Sequence, residues 1–323
     1  MELGVSVLPP ITAHTHTIVF LHGRDDTARN LADTLFWSRD SYRRSLKDIF
    51  PSVRWVFPQS EMRPCESDGG IERSQWFDIW NPLDFSDREE LQAPGLRESV
   101  MSIRRIVARE ARSVGGLSRV VLGGISQGGA AAVHVFINLP LDDTQLPPSP
   151  AISPATAADA PASPPDVGAD DSVMGDDDDD DNIVVVEGGT ATTSTATTPP
   201  PRLAAFVGFA CGLPFPGGTL EETREVLGLP GAAPSDEVVR RTPAFLAHCA
   251  DDPVVFVEYG KQLRGALRDF GVADVAWREY EDGGHWVNSP RGVDDLVEFL
   301  RAQGLPAALP PRPYAGSISM SPD

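Results

Sequence analysis

The chain has 323 residues, of which 41% are hydrophobic and 23% charged, and a formal net charge of −20. Those fractions are ordinary for a globular protein of one large or two small domains. The charge is concentrated: residues 142–201 hold twelve Asp, one Glu and no Lys or Arg, which leaves −7 for the rest and no basic cluster with which to grip a nucleic-acid backbone.

The first residues, MELGVSVLPPITAHTHT, lack a basic start and place two prolines where a signal peptide needs its apolar core. No apolar run approaches the ~20 residues of a membrane span. His14 and His16 would share one strand face, a spacing that can bind metal, but no third ligand stands nearby and no metal is assigned. The first strand is THTIVFL (15–21), closed by His22-Gly23, and the second is VRWVF (53–57). Trp76, Phe77 and Trp80 follow, suited either to an acyl channel or to core packing. Leu96, Val100, Ile103 and Val107 recur at helical spacing, and Gly115-Gly116 ends that helix. RVVLGG (119–124) is the next strand, followed by the helical pattern AAAVHVFINL.

Leu141 to about Pro201 is rich in Pro, Ala, Ser and Thr and contains six consecutive aspartates, Asp176 to Asp181. Such a composition buries too little apolar surface to offset the entropy of ordering. It is expected to be a disordered, solubilising insertion within one domain, since long surface loops add little closure entropy. Three further strands are expected at LAAFVGF (203–209), PAFLAH (243–248) and ADVAWREY (273–280). Tyr259, Leu263, Leu267 and Phe270 mark one helix. Val293, Leu296, Val297 and Leu300 mark another, with Ser289 as N-cap and Pro290 at its first position. Residues 305–323 are expected to be a disordered tail. Continuous apolar strands alternating with amphipathic helices predict an α/β fold, a mostly parallel doubly wound sheet flanked by helices, as a single domain over residues 1–304.

One pentapeptide on this map carries chemistry. Gly124-Ile-Ser126-Gln-Gly128 stands where a strand runs into a helix, the context a nucleophile elbow requires. Glycines at both ends let the turn approach its neighbours, and the helix N-terminus offers free N–H groups to a developing negative charge. A serine needs a base, and the base an orienting acid, in the chain order Ser, Asp or Glu, His. His248 ends a buried run and reads as structural. His285 lies in the loop EDGGHWVN after the last strand, where such sheets place chemistry, and is the better base. Asp251 and Asp252 both fit the acid by position, and Asp252 before Pro253 could equally be the N-cap of the following helix.

The segments FLHGRDD (20–26), WVFPQS (55–60), QWFDIW (75–80), LGGISQGGA (122–130), HCADDPVV (248–255) and YEDGGH (280–285) occur in the order seen in one family. The chain resembles the acyl-protein thioesterase / phospholipase-carboxylesterase family of α/β-hydrolases, as a fungal-type member, over roughly residues 15 to 302 without the insertion. The resemblance implies a catalytic triad of Ser126, Asp252 and His285. It also implies an oxyanion hole made by the backbone N–H groups of Arg24 and Gln127, and no cofactor. Three stretches depart from the family: HGRDD for HGLGD, Cys249 for a glycine, and ACGLP (210–214) for a stretch like SGWLP on the acyl-binding side.

The expected function is hydrolysis of acyl thioesters or carboxylic esters through an acyl-enzyme, with an acylated protein or a small ester or lipid as substrate. A general carboxylesterase or lysophospholipase is the alternative within the class. A non-catalytic protein whose acidic insertion binds basic partners is the alternative outside it, disfavoured by the intact triad, elbow and His-Gly pair. The odd, widely spaced Cys65, Cys211 and Cys249 favour a reducing compartment, the cytoplasm, with the nucleus left open. Membrane contact is expected to be transient at most, and the oligomeric state is left open.

Overall fold

The computed structural model describes residues 3–140, 201–231 and 233–310. Seven strands form one sheet in the order β1-β3-β2-β6-β7-β8-β9. They are β1 (Val5–Leu8), β2 (His16–Leu21), β3 (Val53–Pro58), β6 (Val120–Ile125), β7 (Ala205–Phe209), β8 (Ala244–Cys249) and β9 (Val275–Tyr280). All neighbours are parallel except β1, which runs antiparallel along the edge of β3. A separate antiparallel hairpin joins β4 (Met62–Cys65) to β5 (Ile71–Ser74).

Residues alternate between the two faces of the central strands, so each strand feeds two cores. In β2, Val19 and Leu21 pack on one side and Ile18 and Phe20 on the other. The first core is covered by α3 (Gln92–Val114), α4 (Gln127–Ile137) and α7 (Val257–Asp269), through residues such as Ile103, Val133 and Leu263. The second is covered by α1 (Ala28–Leu35), α2 (Leu46–Ile49) and α8 (Arg291–Ala302), through Leu31, Ile49 and Leu296. Two short helices, α5 (Leu220–Glu225) and α6 (Asp236–Arg241), precede β8. With both faces covered, the central strands read as continuous apolar runs. β6 and β8 are buried at every position. Among the described residues, no helix is long and apolar enough to cross a membrane.

The expected helix end at Gly115 is present, with Gly115 left-handed at φ 88°. The expected cap of α8 is not. Pro290 itself occupies the N-cap position, and Ser289 lies outside the helix, where its hydroxyl donates to the Arg39 carbonyl at 2.9 Å and accepts from the Arg39 amide at 3.1 Å. Asn288 serves the helix start instead, accepting from Gly292 N at 3.2 Å. The tail also begins later than expected. Leu305 is 2% exposed in the second core, and Ala308 N donates to Ile49 O at 2.7 Å, because the chain leaving α8 still covers α2. The insertion expected at about 141–201 and the tail beyond residue 310 lie outside the described residues, apart from Pro201. The strands on either side of that insertion, β6 and β7, are paired neighbours.

His134 on α4 is fully buried with Nε2 2.8 Å from the Pro214 carbonyl, and burial holds its pKa down to about 4. The unfolded chain therefore takes up a proton near pH 6.5 that the folded chain refuses until about pH 4. Stability contributed by neutral His134 is present above pH 6.5 and falls by roughly 3 kcal/mol as the pH drops through that window. Urea unfolding at pH 7 and pH 4.5 should show a smaller loss for His134→Gln than for the wild-type chain. Equal losses would mean that the buried ring is not the source.

Candidate active site

β6 runs straight into Ser126, which adopts φ 57° and ψ −130° at the N-cap of α4. A non-glycine residue held at such an angle stores roughly 1–3 kcal/mol and persists only where its surroundings enforce it. The enforcement is visible. Ser126 N donates to Phe209 O on β7 and its carbonyl accepts from Ala130 N, both at 3.0 Å. A Cβ on Gly124 would lie 2.6 Å from the Gly128 backbone, and one on Gly128 would lie 2.3 Å from the His22 carbonyl. Both glycines are required by close backbone approach, as the motif demands.

The loop after β2 is packed against this turn. A Cβ on Gly23 would sit 3.4 Å from Ser126 Cβ. His22 is fully buried and holds the loop in shape. Its Nδ1 donates to Gly23 O at 2.7 Å, Nε2 accepts from Ser60 N at 3.1 Å, and its carbonyl accepts from Trp76 Nε1 at 2.8 Å. Burial lowers the pKa of this ring, consistent with a neutral imidazole that donates on one side and accepts on the other. The Gln127 side chain braces the next segment: Oε1 accepts from Trp76 N at 2.9 Å and Nε2 donates to Phe77 O at 2.7 Å. The backbone amides of Arg24 and Gln127 donate to no group among the described residues. For Gln127 this follows from its place as the first residue of α4, where no intrahelical acceptor exists.

Asp252, 4% exposed in the loop after β8, faces the loop that carries His285. Its Oδ2 accepts from His285 Nδ1 at 2.8 Å, and its Oδ1 accepts from the amides of Val254 at 2.8 Å and Val255 at 3.0 Å. Burial alone would raise the carboxyl pKa. Hydrogen bonds from His248, His285, Val255 and Val254 overcome it and hold the group well below the ordinary carboxylate range. The sequence left Asp251 and Asp252 unseparated, and the geometry divides their work. Asp251 accepts from Gly284 N at 2.8 Å and Gly283 N at 3.3 Å, so it shapes the backbone of the histidine loop while Asp252 takes the ring. The helix cap considered for Asp252 is not formed: α7 has Phe256 at its N-cap position with no side-chain cap, and the second oxygen of Asp252 instead fixes the turn at Val254 and Val255.

With Nδ1 bound to the carboxylate, His285 Nε2 is the nitrogen left to accept a proton. Ser126 Oγ and His285 are not hydrogen-bonded to each other in this structure. Such contacts are commonly loose without substrate and tighten when it binds. His248, which the sequence assigns to structure, is indeed buried, but it also reaches the acid. Its Nε2 is 2.7 Å from Val255 O and 3.3 Å from Asp252 Oδ2. The signal available beforehand was its i, i+4 relation to Asp252 across a tight loop.

An apolar cleft of about 580 Å³, open solvent at its mouth included, starts at Ser126 and Gln127. Phe77, Ile79, Phe85, Cys211 and Val254 are among its walls. Of the three aromatic residues considered for a channel, only Phe77 lines it. Trp76 is sealed in the core and Trp80 lies under the Arg88 guanidinium at 4.4 Å. A strained serine, a carboxylate-bound imidazole and two free amides beside an apolar cleft form the parts list for acyl transfer. Residues 4–146 match the phospholipase/carboxylesterase family. The fold matches that of an acyl-protein thioesterase 2 from Zea mays with a TM-score of 0.58 at 19% identity, over 94% of this chain and 99% of that one.

The fold is that of the α/β-hydrolases, and residues 4–146 carry the similarity to the phospholipase/carboxylesterase family.

An acyl-protein thioesterase 1 from Cryptococcus neoformans is 33% identical over 130 residues, 39% of this chain and 50% of the relative, so the alignment spans half of that relative's length. One from Gibberella zeae is 25% identical over 95% of this chain and 96% of its own. The three departures from the family pattern can now be placed on the fold. Arg24 lines the cleft, and its guanidinium is held by Cys65, with Nη2 2.9 Å from Sγ. Cys211 and Gly212 line the cleft, and Gly212 stands where the family has its tryptophan. Cys249 packs beneath Gly283, where a Cβ would meet its sulfur at 2.7 Å. Burial pushes its thiol up to about 11, and the residue is 1% exposed, so it offers no handle for modification in the folded protein. His14 and His16 bond to Thr17 and Thr15 hydroxyls respectively, away from the site.

Proposed function

We propose that this protein is a serine hydrolase that cleaves acyl thioesters or carboxylic esters through an acyl-enzyme, within a single domain interrupted by the acidic insertion. The observations that support the reading are Ser126, held at positive φ on a cleft that Val254 and Val255 also line, and the His285 imidazole bonded at 2.8 Å to Asp252, whose other oxygen holds the amides of those two valines. His285 removes the proton from Ser126 Oγ as that oxygen attacks the carbonyl. Asp252 fixes the tautomer and stabilises the imidazolium that results. The amides of Arg24 and Gln127 bind the oxyanion, each such donor being worth about 3 kcal/mol of barrier. His285 then protonates the leaving thiol or alcohol, and afterwards activates the water that releases the acid. The steps need no cofactor.

The acyl chain belongs in the apolar cleft, and the leaving group on its solvent side. By the names of its relatives, the substrate is an acylated protein, met in the cytoplasm with only passing membrane contact. The three unpaired cysteines agree with a reducing compartment. The test is a panel of thioesters and matched oxyesters with acyl chains of increasing length. Burial of about 0.8 kcal/mol per methylene predicts a rise in kcat/KM of about fourfold per added CH₂ until the cleft is full. A rate flat in chain length would place the acyl group elsewhere. A higher kcat/KM for the thioester of each pair supports the thioesterase reading, and the reverse supports a carboxylesterase.

A further inference from the structure

The far end of α4 borders a second cavity of about 1030 Å³, open solvent at its mouth included, which α3, α5 and the start of α6 complete. Two guanidinium groups line it. Arg104, midway along α3, is only 3% exposed, yet it makes no hydrogen bond or ion pair among the described residues, and its enclosed Nε has no partner. Arg224 is held rigidly: its Nε donates to Ile137 O at 2.6 Å and its Nη1 to Asp236 at 2.6 Å, while its buried Nη2 has no partner. Asn138, 3% exposed, lines the same cavity beside them.

A charge taken out of water without a counter-charge is strongly unfavourable, and Arg does not escape by losing its proton. Among the described residues, the nearby carboxylates do not answer Arg104. Asp236 is engaged by Arg224 and Arg240, and Glu221 and Glu225 are exposed and make no ion pair with it. Two arginines lining one cavity, with the terminal nitrogens of Arg104 bonded to no group among the described residues, are the arrangement that a planar or tetrahedral oxyanion completes.

We propose that this cavity binds a small oxyanion, a phosphate or carboxylate group, between Arg104 and Arg224. The site is independent of the acyl chemistry, since the 11 residues of α4, ~16 Å of helix, separate it from Ser126. Its volume admits an organic group attached to the anion.

The full-length chain is melted in sodium phosphate and in sodium chloride at matched pH and ionic strength. Phosphate should raise Tm by about 3 °C over chloride near saturation. Arg104→Met should lose that rise while melting in chloride no lower than the wild-type chain, because it removes an unpaired buried charge. Arg104→Gln, which retains polarity, should lose it as well and serves if the methionine variant does not fold. Ser126→Ala should keep the rise. Methyl phosphate and acetate, added separately, tell which anion the site prefers. No rise over chloride with any of the three anions overturns the proposal. So does a rise that survives in the Arg104 variants, or one that vanishes in Ser126→Ala and so belongs to the nucleophile.

Discussion

Replacing Ser126 with alanine should lower kcat on any ester or thioester substrate by about a million-fold, the usual loss when a triad nucleophile is removed. Nothing in the site can substitute for it. The nearest thiol on the cleft wall, Cys211, is 3% exposed and burial pushes it up to about 12, so it stays protonated and weakly nucleophilic. The variant should remain folded. Alanine meets the same backbone strain at φ 57° that serine does, and the serine hydroxyl makes no hydrogen bond that would be lost. A Tm unchanged within about 2 °C, measured beside the rate, separates loss of chemistry from loss of structure.

Asp252→Asn should cost about 10⁴-fold in kcat with a much smaller change in KM. The substitution keeps the shape but turns one acceptor into a donor. The amide NH₂ would face His285 Nδ1, which must then accept, and the ring proton moves to Nε2, the position that has to be empty for the imidazole to take the serine proton. Asp251→Asn is the control, because among the described residues the Asp251 carboxylate bonds to the Gly283 and Gly284 amides and not to the ring. It should cost far less, on the order of tenfold, through a loosened loop. Equal losses from the two variants would show that the carboxylate–imidazole bond has no special role.

How much of this was legible beforehand follows from the physics of each part. The central strands announced themselves because burial on both faces demands continuous apolar runs, as in Val120–Ile125 and Ala244–Cys249. The Ser126 turn was legible because its glycines answer local crowding at fixed spacing. Strand β1 escaped because it is a four-residue edge strand whose Val5 and Val7 are exposed, and it stops before two prolines. The β4–β5 hairpin escaped for the same reason, its outward positions being polar or exposed. Asp251 and Asp252 could not be separated from their positions alone, because the choice lies in which side chain turns toward a loop more than 30 residues away. Ser289 looked like a cap by type, but a contact with Arg39 took its hydroxyl. The unpaired Arg104 gave no sign, since an arginine on an amphipathic helix reads as solvated until its neighbours are known.

The central claim is that Ser126 is a nucleophile activated by His285, and a fluorophosphonate probe tests it most directly. Intact-mass measurement of the full chain should show one covalent adduct, and peptide mapping should place it on Ser126, with labelling abolished in Ser126→Ala and strongly slowed in Asp252→Asn. An unlabelled wild-type chain, or equal labelling of Ser126→Ala, would contradict the account.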